Sequence, residues 1–175
     1  MRLRGTNAAR RPRRNRGAAT ARDGSSPTDC HDAALAADRR VSVQRETFEI
    51  IEDQQAHFGY AQAVRVGDMI WIANTPGCDE SLTFPDDMAG QLRQVYVNLT
   101  TTLDHFSCSF ADLVDVTVFV SNIDEYTAAS AIHRTDFFSA RGLPASTVVE
   151  VSGFLLPQMR VSIKATAIVG SGDQS

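Results

Sequence analysis

Residues 58–77 read FGYAQAVRVGDMIWIANTPG, and this stretch decides the fold. Ala61 to Val66 and Met69 to Ala73 are β-rich runs, the kind that suits a pleated, half-buried surface. Gly67-Asp68 stands between them. A glycine in a two-residue connection accepts the positive φ of a tight turn, so the pair predicts a hairpin. Pro76, Gly77 and Pro85 then punctuate a loop.

Working outward, Phe48, Ile50 and Ile51 predict a first strand ahead of the hairpin. Beyond the loop a helix is expected from Asp87 to Phe106. Met88, Leu92, Val95, Leu99, Leu103 and Phe106 recur at three- and four-residue steps, which puts them on one face. Asp86 or Asp87 can cap its start by accepting a backbone N–H. Leu113 to Val120 is a nearly continuous apolar run, the pattern of a strand buried on both faces. A second helix is expected over Glu125 to Phe138, then a strand over Thr147 to Val151. In the last strand Val161, Ile163, Ala165, Ala167 and Val169 alternate with Arg160, Ser162, Lys164 and Thr166. The order is β-β-β-α-β-α-β-β, an α+β layer with two helices on one face of a mixed sheet. The other sheet face, small and β-branched residues beside polar ones, then requires a cover.

A length of 175 residues suits one domain. No apolar run approaches the roughly 20 residues of a membrane-spanning helix. The net charge of -4 hides an asymmetry: residues 1–40 carry +6 and residues 41–175 carry -10. An acidic core gives no electrostatic footprint for a phosphate backbone, so nucleic acid is not an expected partner. Cys30, Cys78 and Cys108 are widely spaced, without a CxxC or Cys/His metal pattern. No metal or cofactor is expected, and three reduced thiols suit the cytoplasm. A reactive thiol at Cys78 would need positive neighbours.

Residues 1–44 read as a disordered basic extension, because RRPRRNRGAATARDGSSPTD holds almost no large apolar side chain. It reads first as an extension dispensable to the fold. The acid-free first 22 residues would also suit a mitochondrial transit peptide, and a basic arm could touch nucleic acid. Residues 45–170 form the expected domain, and 171–175 a short tail.

Residues 58–77, together with SFADLVDVTVFVSNIDEY (109–126), LPASTVVEV (143–151) and QMRVSIKATAIV (158–169), resemble the RidA (reactive intermediate deaminase) family in order and spacing. The resemblance implies a chorismate-mutase-like homotrimer. Its sheets would face inward, and its clefts for a small-molecule substrate would lie between subunits. The activity it implies is hydrolytic deamination of a small enamine or imine.

The resemblance also marks the positions where this chain departs. The family follows a Pro-Ala pair with an arginine that grips a substrate carboxylate; here Pro144 and Ala145 precede Ser146. A hydroxyl can hydrogen-bond to a carboxylate but cannot neutralise it. The family's water-orienting glutamate lies in a Glu-Ile-Glu run, and this chain reads Ser162, Ile163, Lys164. Lys164 in a partly desolvated cleft would serve as base or nucleophile; on a polar strand face it would simply be solvated. A family asparagine on the second helix matches Ala131. Nearby His133, Arg134 and Arg141 offer polar or positive groups, Arg141 first because loops carry binding residues. Tyr60 stands in Tyr60-Ala61-Gln62 where the family has aromatic-Ser-Gln, and Ala73-Asn74-Thr75 replaces Ser-Gly-Gln. The resemblance thus marks Ser146, Ser162 and Lys164 as candidate catalytic residues. Tyr60, Asn74, Thr75, Arg141 and His133 are candidate substrate contacts. A second reading follows from the same losses: a non-catalytic trimer that binds a small molecule or regulates a partner. The ribonuclease activity of some family members is a third, weakened by the acidic core.

Overall fold

The hairpin forms as its sequence demands. In the computed structural model, which describes residues 44–51, 57–137 and 142–173, β2 (Ala63–Val66) turns at Gly67 into β3 (Met69–Pro76). Gly67 takes a φ of +61°, a value glycine adopts without a steric penalty. The remaining elements are β1 (Arg45–Phe48), α1 (Met88–His105), β4 (Leu113–Val120), α2 (Ile123–Phe137), β5 (Ala145–Glu150) and β6 (Val161–Ile168). The six-stranded sheet runs β1-β2-β3-β6-β4-β5. Among the described residues only β4 and β5 pair in parallel, so the sheet is mixed as expected.

Several boundaries differ. The first strand ends at Phe48, before Ile50 and Ile51, because its partner β2 is only four residues long. β3 runs on to Pro76 through an irregularity between Ile72 and Thr75. β5 begins at Ala145, two residues early. Ser171–Asp173, expected to be a free tail, form a 3-10 turn. There Asp112 Oδ1 accepts from the Gly172 N–H at 3.1 Å. Arg141, Phe138 and the basic extension up to residue 43 lie outside the described residues.

Register separates the two sheet faces, since directly paired residues point the same way. Ile70 and Ile72 of β3 pair with Ala167 and Ala165 of β6, and Val116 and Val118 of β4 pair with Ala165 and Ile163. These side chains are buried under the helices, together with Leu92, Val95, Leu99 and Leu103 of α1. Asp87 caps α1 by accepting the Gly90 N–H at 2.6 Å. The opposite face carries Met69, Trp71, Thr117, Val149 and Lys164. Trp71 is 41% exposed there. β4 is therefore buried on one face rather than two: Leu113, Val116, Val118 and Val120 are covered, while Asp115 is exposed. β5, an edge strand, is exposed at every residue.

Candidate functional site

Three of the candidate residues, Ser146, Tyr60 and Asn74, fall into two separate cavities. Ser146 pairs with Val116 and so points to the helix side of β5. It lines a space of about 340 Å³ with Tyr96, Tyr126, Thr127, Ser130 and Pro144. The Ser130 hydroxyl donates to the Thr127 carbonyl at 3.2 Å. Aliphatic side chains make up the rest of this lining beside these hydroxyls, and among the described residues no charged group reaches it. His133 stands on the same helix, α2.

The second cavity, about 420 Å³, holds Tyr60 and Asn74. The irregularity in β3 explains the position of Asn74. An extra residue in a strand bends it and re-aims its side chains, so Ala73 and Asn74 both line the cavity. Thr75 instead turns inward. It is buried, and its Oγ1 accepts from Gln62 Nε2 at 2.7 Å. Thr75 and Gln62 thus serve the core, not the cavity wall.

Three loops close this space, and α1 fixes them. Asn98 Nδ2 donates to the carbonyls of Pro76 and Cys78 at 3.0 and 2.9 Å. Gln91 Nε2 donates to Pro85 and Gln158, each at 2.8 Å, and Gln91 Oε1 accepts the Arg160 N–H at 2.8 Å. Gly77 lies against the backbone of Gln91 so closely that a Cβ would clash. The loop between holds itself: Asp79 Oδ1 accepts from the N–H groups of Ser81 and Thr83, both at 2.9 Å. Sequence reading passed over Gln91 and Asn98. Their signal was a polar residue immediately before Leu92 and before Leu99 of the buried stripe, seven positions apart.

Cys78 lines the second cavity, but not as a nucleophile. Burial, with Asp79 adding repulsion, pushes its thiol up to about 11. It stays protonated at neutral pH and behaves as a small apolar wall.

Ser162 and Lys164 lie on the face away from the helices, opposite Phe119 and Thr117 of β4. Ser162 is 0% exposed, and its Oγ has no hydrogen-bond partner among the described residues. Lys164 is exposed. Within one chain, then, Ser146 is separated by the sheet from Ser162 and Lys164. A further depression beside Asp86 and Glu125 is shallow, and its Arg160–Glu125 ion pair (3.1 Å) is half-exposed, where such pairs contribute little. No helix among the described residues is long and apolar enough to cross a membrane.

A mixed sheet carrying two helices on one face, with cavities at its edge and rim that no charged side chain lines among the described residues, defines a class of α+β domain. Comparison with known proteins narrows it. Residues 50–169 match the family described as Endoribonuclease L-PSP, and the chain belongs to this family, also known as RidA/YjgF. The RutC family protein YjgH of Escherichia coli is 31% identical over 97 residues, 55% of this chain and 74% of that one. A 2-iminobutanoate/2-iminopropanoate deaminase of Rattus norvegicus is 29% identical over 132 residues, 74% of this chain and 93% of that one. Among solved structures, Rv2704 of Mycobacterium tuberculosis, a YjgF/YER057c/UK114 family member, is similar with a TM-score of 0.62 and 26% identity. That match covers 72% of this chain and all 100% of that one. The structure of protein YJGH gives a TM-score of 0.65 at 28% identity over 73% of this chain and 98% of that one.

Proposed function

We propose that this protein is a hydrolytic deaminase of a reactive imine or enamine, working as a homotrimer with each site shared between two subunits. One observation carries this reading: Ser146 and the Tyr60–Asn74 pair occupy different cavities of one chain. Only a neighbouring copy would bring such halves onto one substrate. The exposed edge strand β5 and the open sheet face around Trp71 offer surfaces for that copy. The names of the deaminase relatives support the reaction class. Two free, buried cysteines among the described residues suit the reducing cytosol.

The chemistry asks little of the protein. Water adds to the C=N carbon, a proton moves to nitrogen, and the tetrahedral adduct expels ammonia to leave a carbonyl. Tyr60 and Asn74 hold the substrate from one subunit and Ser146 from the next. Lys164 and the buried Ser162 line neither cavity, so the added water itself carries the proton from the adduct's oxygen to its nitrogen. The structure also favours a second reading, a non-catalytic binding trimer, because no charged side chain among the described residues lines either cavity.

Ammonia release from imines generated in the assay separates the two readings. Subunit mixing tests the shared site. Asn74→Ala and Ser146→Ala each weaken turnover, and co-refolding the two variants restores part of it. Activity that mixing never restores would place the whole site within one chain.

A further inference from the structure

The cavity behind Tyr60 has a chemistry that names its occupant. Phe84, Phe154, Leu156 and Met159 form its floor and sides together with Ala73 and the protonated Cys78. Four large apolar side chains at its wall remain open to water: Phe58, Tyr60, Leu82 and Leu155, the last 81% exposed. The nearest carboxylate along the loop, Asp79, is turned back onto its own backbone. Leu82 holds a φ of +59°, a left-handed backbone that costs a non-glycine residue energy. The Leu82 N–H donates to the Asp79 carbonyl at 3.0 Å and locks that conformation. Asparagine 74 supplies an uncharged amide, able to donate to a carbonyl or imine partner.

We infer that this cavity takes a neutral, ring-sized apolar group, and that the substrate carries no carboxylate beside its C=N carbon. The inference rests on the deaminase reading and names its substrate class. Volume sets the size: at about 30 Å³ per water-sized group, 420 Å³ accommodates roughly fourteen non-hydrogen atoms. Charge sets the polarity. An ionised carboxylate leaves water at a large cost unless a cation meets it, and neither cavity presents one among the described residues. An apolar ring, by contrast, covers the exposed side chains at the mouth and gains from their burial. The loops that wall the cavity are already fixed by Gln91 and Asn98, so little ordering opposes binding.

Calorimetry on the full chain tests this with carbonyl products, which need no turnover. Benzylacetone and 2-oxo-4-phenylbutanoate share a ring and linker and differ in a methyl against a carboxylate. Benzylacetone should bind at least about tenfold more tightly, a difference of ~1.4 kcal/mol. In a series of straight-chain methyl ketones each added methylene should tighten binding about fourfold until the cavity is full. Ala73→Leu, which fills the space from its wall, should abolish ketone binding and leave the circular dichroism spectrum unchanged. Equal or tighter binding of the carboxylate would overturn the inference, as would ketone binding unaffected by Ala73→Leu. The deaminase reading has its own arm. Ketone binding without ammonia release from the corresponding imine would defeat that reading and leave the cavity assignment standing. Ammonia release restricted to 2-iminobutanoate would do the reverse.

Discussion

Gln91 and Asn98 stand two turns apart on α1, and each spends its side-chain amide on the backbone of loops that wall one cavity. Gln91 alone satisfies two carbonyls and one N–H. A buried polar network of this kind is worth little net energy while complete, but each group left unpaired costs about 1 to 3 kcal/mol.

Gln91→Leu keeps the helix and strands the carbonyls of Pro85 and Gln158. It should lower stability by about 2 to 4 kcal/mol in urea unfolding, more than an ordinary surface change. A loss under half a kilocalorie would show that water replaces the amide without penalty.

Ser107 follows the end of α1 with a φ of +57°. Its N–H donates to Asp104 and that of Cys108 to Leu103, the pattern in which glycine usually fills this position. Ser107 is exposed, and its side chain makes no hydrogen bond among the described residues, so Ser107→Gly should stabilise by about 1 kcal/mol. Thermal melting should rise by about 3 °C. No rise would mean the serine gains from its surroundings what the backbone loses.

Ser162 tests the water-orienting position. Its buried hydroxyl lacks a partner among the described residues, so Ser162→Ala should hold or raise stability, by up to about 1 kcal/mol. Ser162→Glu places a carboxylate where exposure is 0%, and should cost about 3 kcal/mol or more in a thermal or urea melt. An easily tolerated glutamate would reveal a hidden cation or a water channel at that point.

Asp112 sets an acid limit. Burial would raise its carboxyl, but the N–H groups of Ser109 and Gly172, the Ser109 hydroxyl and Gly170 outweigh this and hold it below the ordinary 3.8. A folded value below the unfolded one adds stability that is present above about pH 4 and lost as pH falls through the lowered value. Asp112→Asn should therefore differ most from the parent at pH 7, and the gap should be narrower at pH 3, below the ordinary 3.8. A gap equally wide at both pH values would mean that shape, not charge, matters there.

Assembly has a direct measurement. Trp71 stands on the sheet face away from the helices. If neighbouring copies cover that face, Trp71→Glu should shift light scattering from trimer to monomer, whereas deletion of residues 1–40 should not. A parent protein that is monomeric at micromolar concentration would remove the shared-site reading.

Much of this architecture was legible because pattern follows periodicity. The stripe from Met88 to Leu103 repeats at helical steps, and Val161 to Ala167 alternates, so burial could be read directly. Thr75 was harder. A bulge between Ile72 and Thr75 breaks the two-residue period, and Thr75 changes face without any change in local composition. Ser162 misled for a related reason: alternation assigns it to the open face, yet tertiary packing covers it. The candidate site was legible only as a set of positions. Which of them share a cavity depends on register, and register is set by strand partners more than 40 residues apart in the chain for β4 and β6.

The place of β6 has a consequence for synthesis. It lies between β3 and β4, so a ribosome delivers both flanks of the sheet before the strand that joins them. Until Val161–Ile168 emerges, the hairpin and the β4–β5 pair each present an unpaired hydrogen-bonding edge, the kind that recruits other chains. Folding here is a closing step made late, when one strand inserts and satisfies two ladders at once. A premature stop before Val161 would leave no smaller native domain, only two edges in search of the same missing strand.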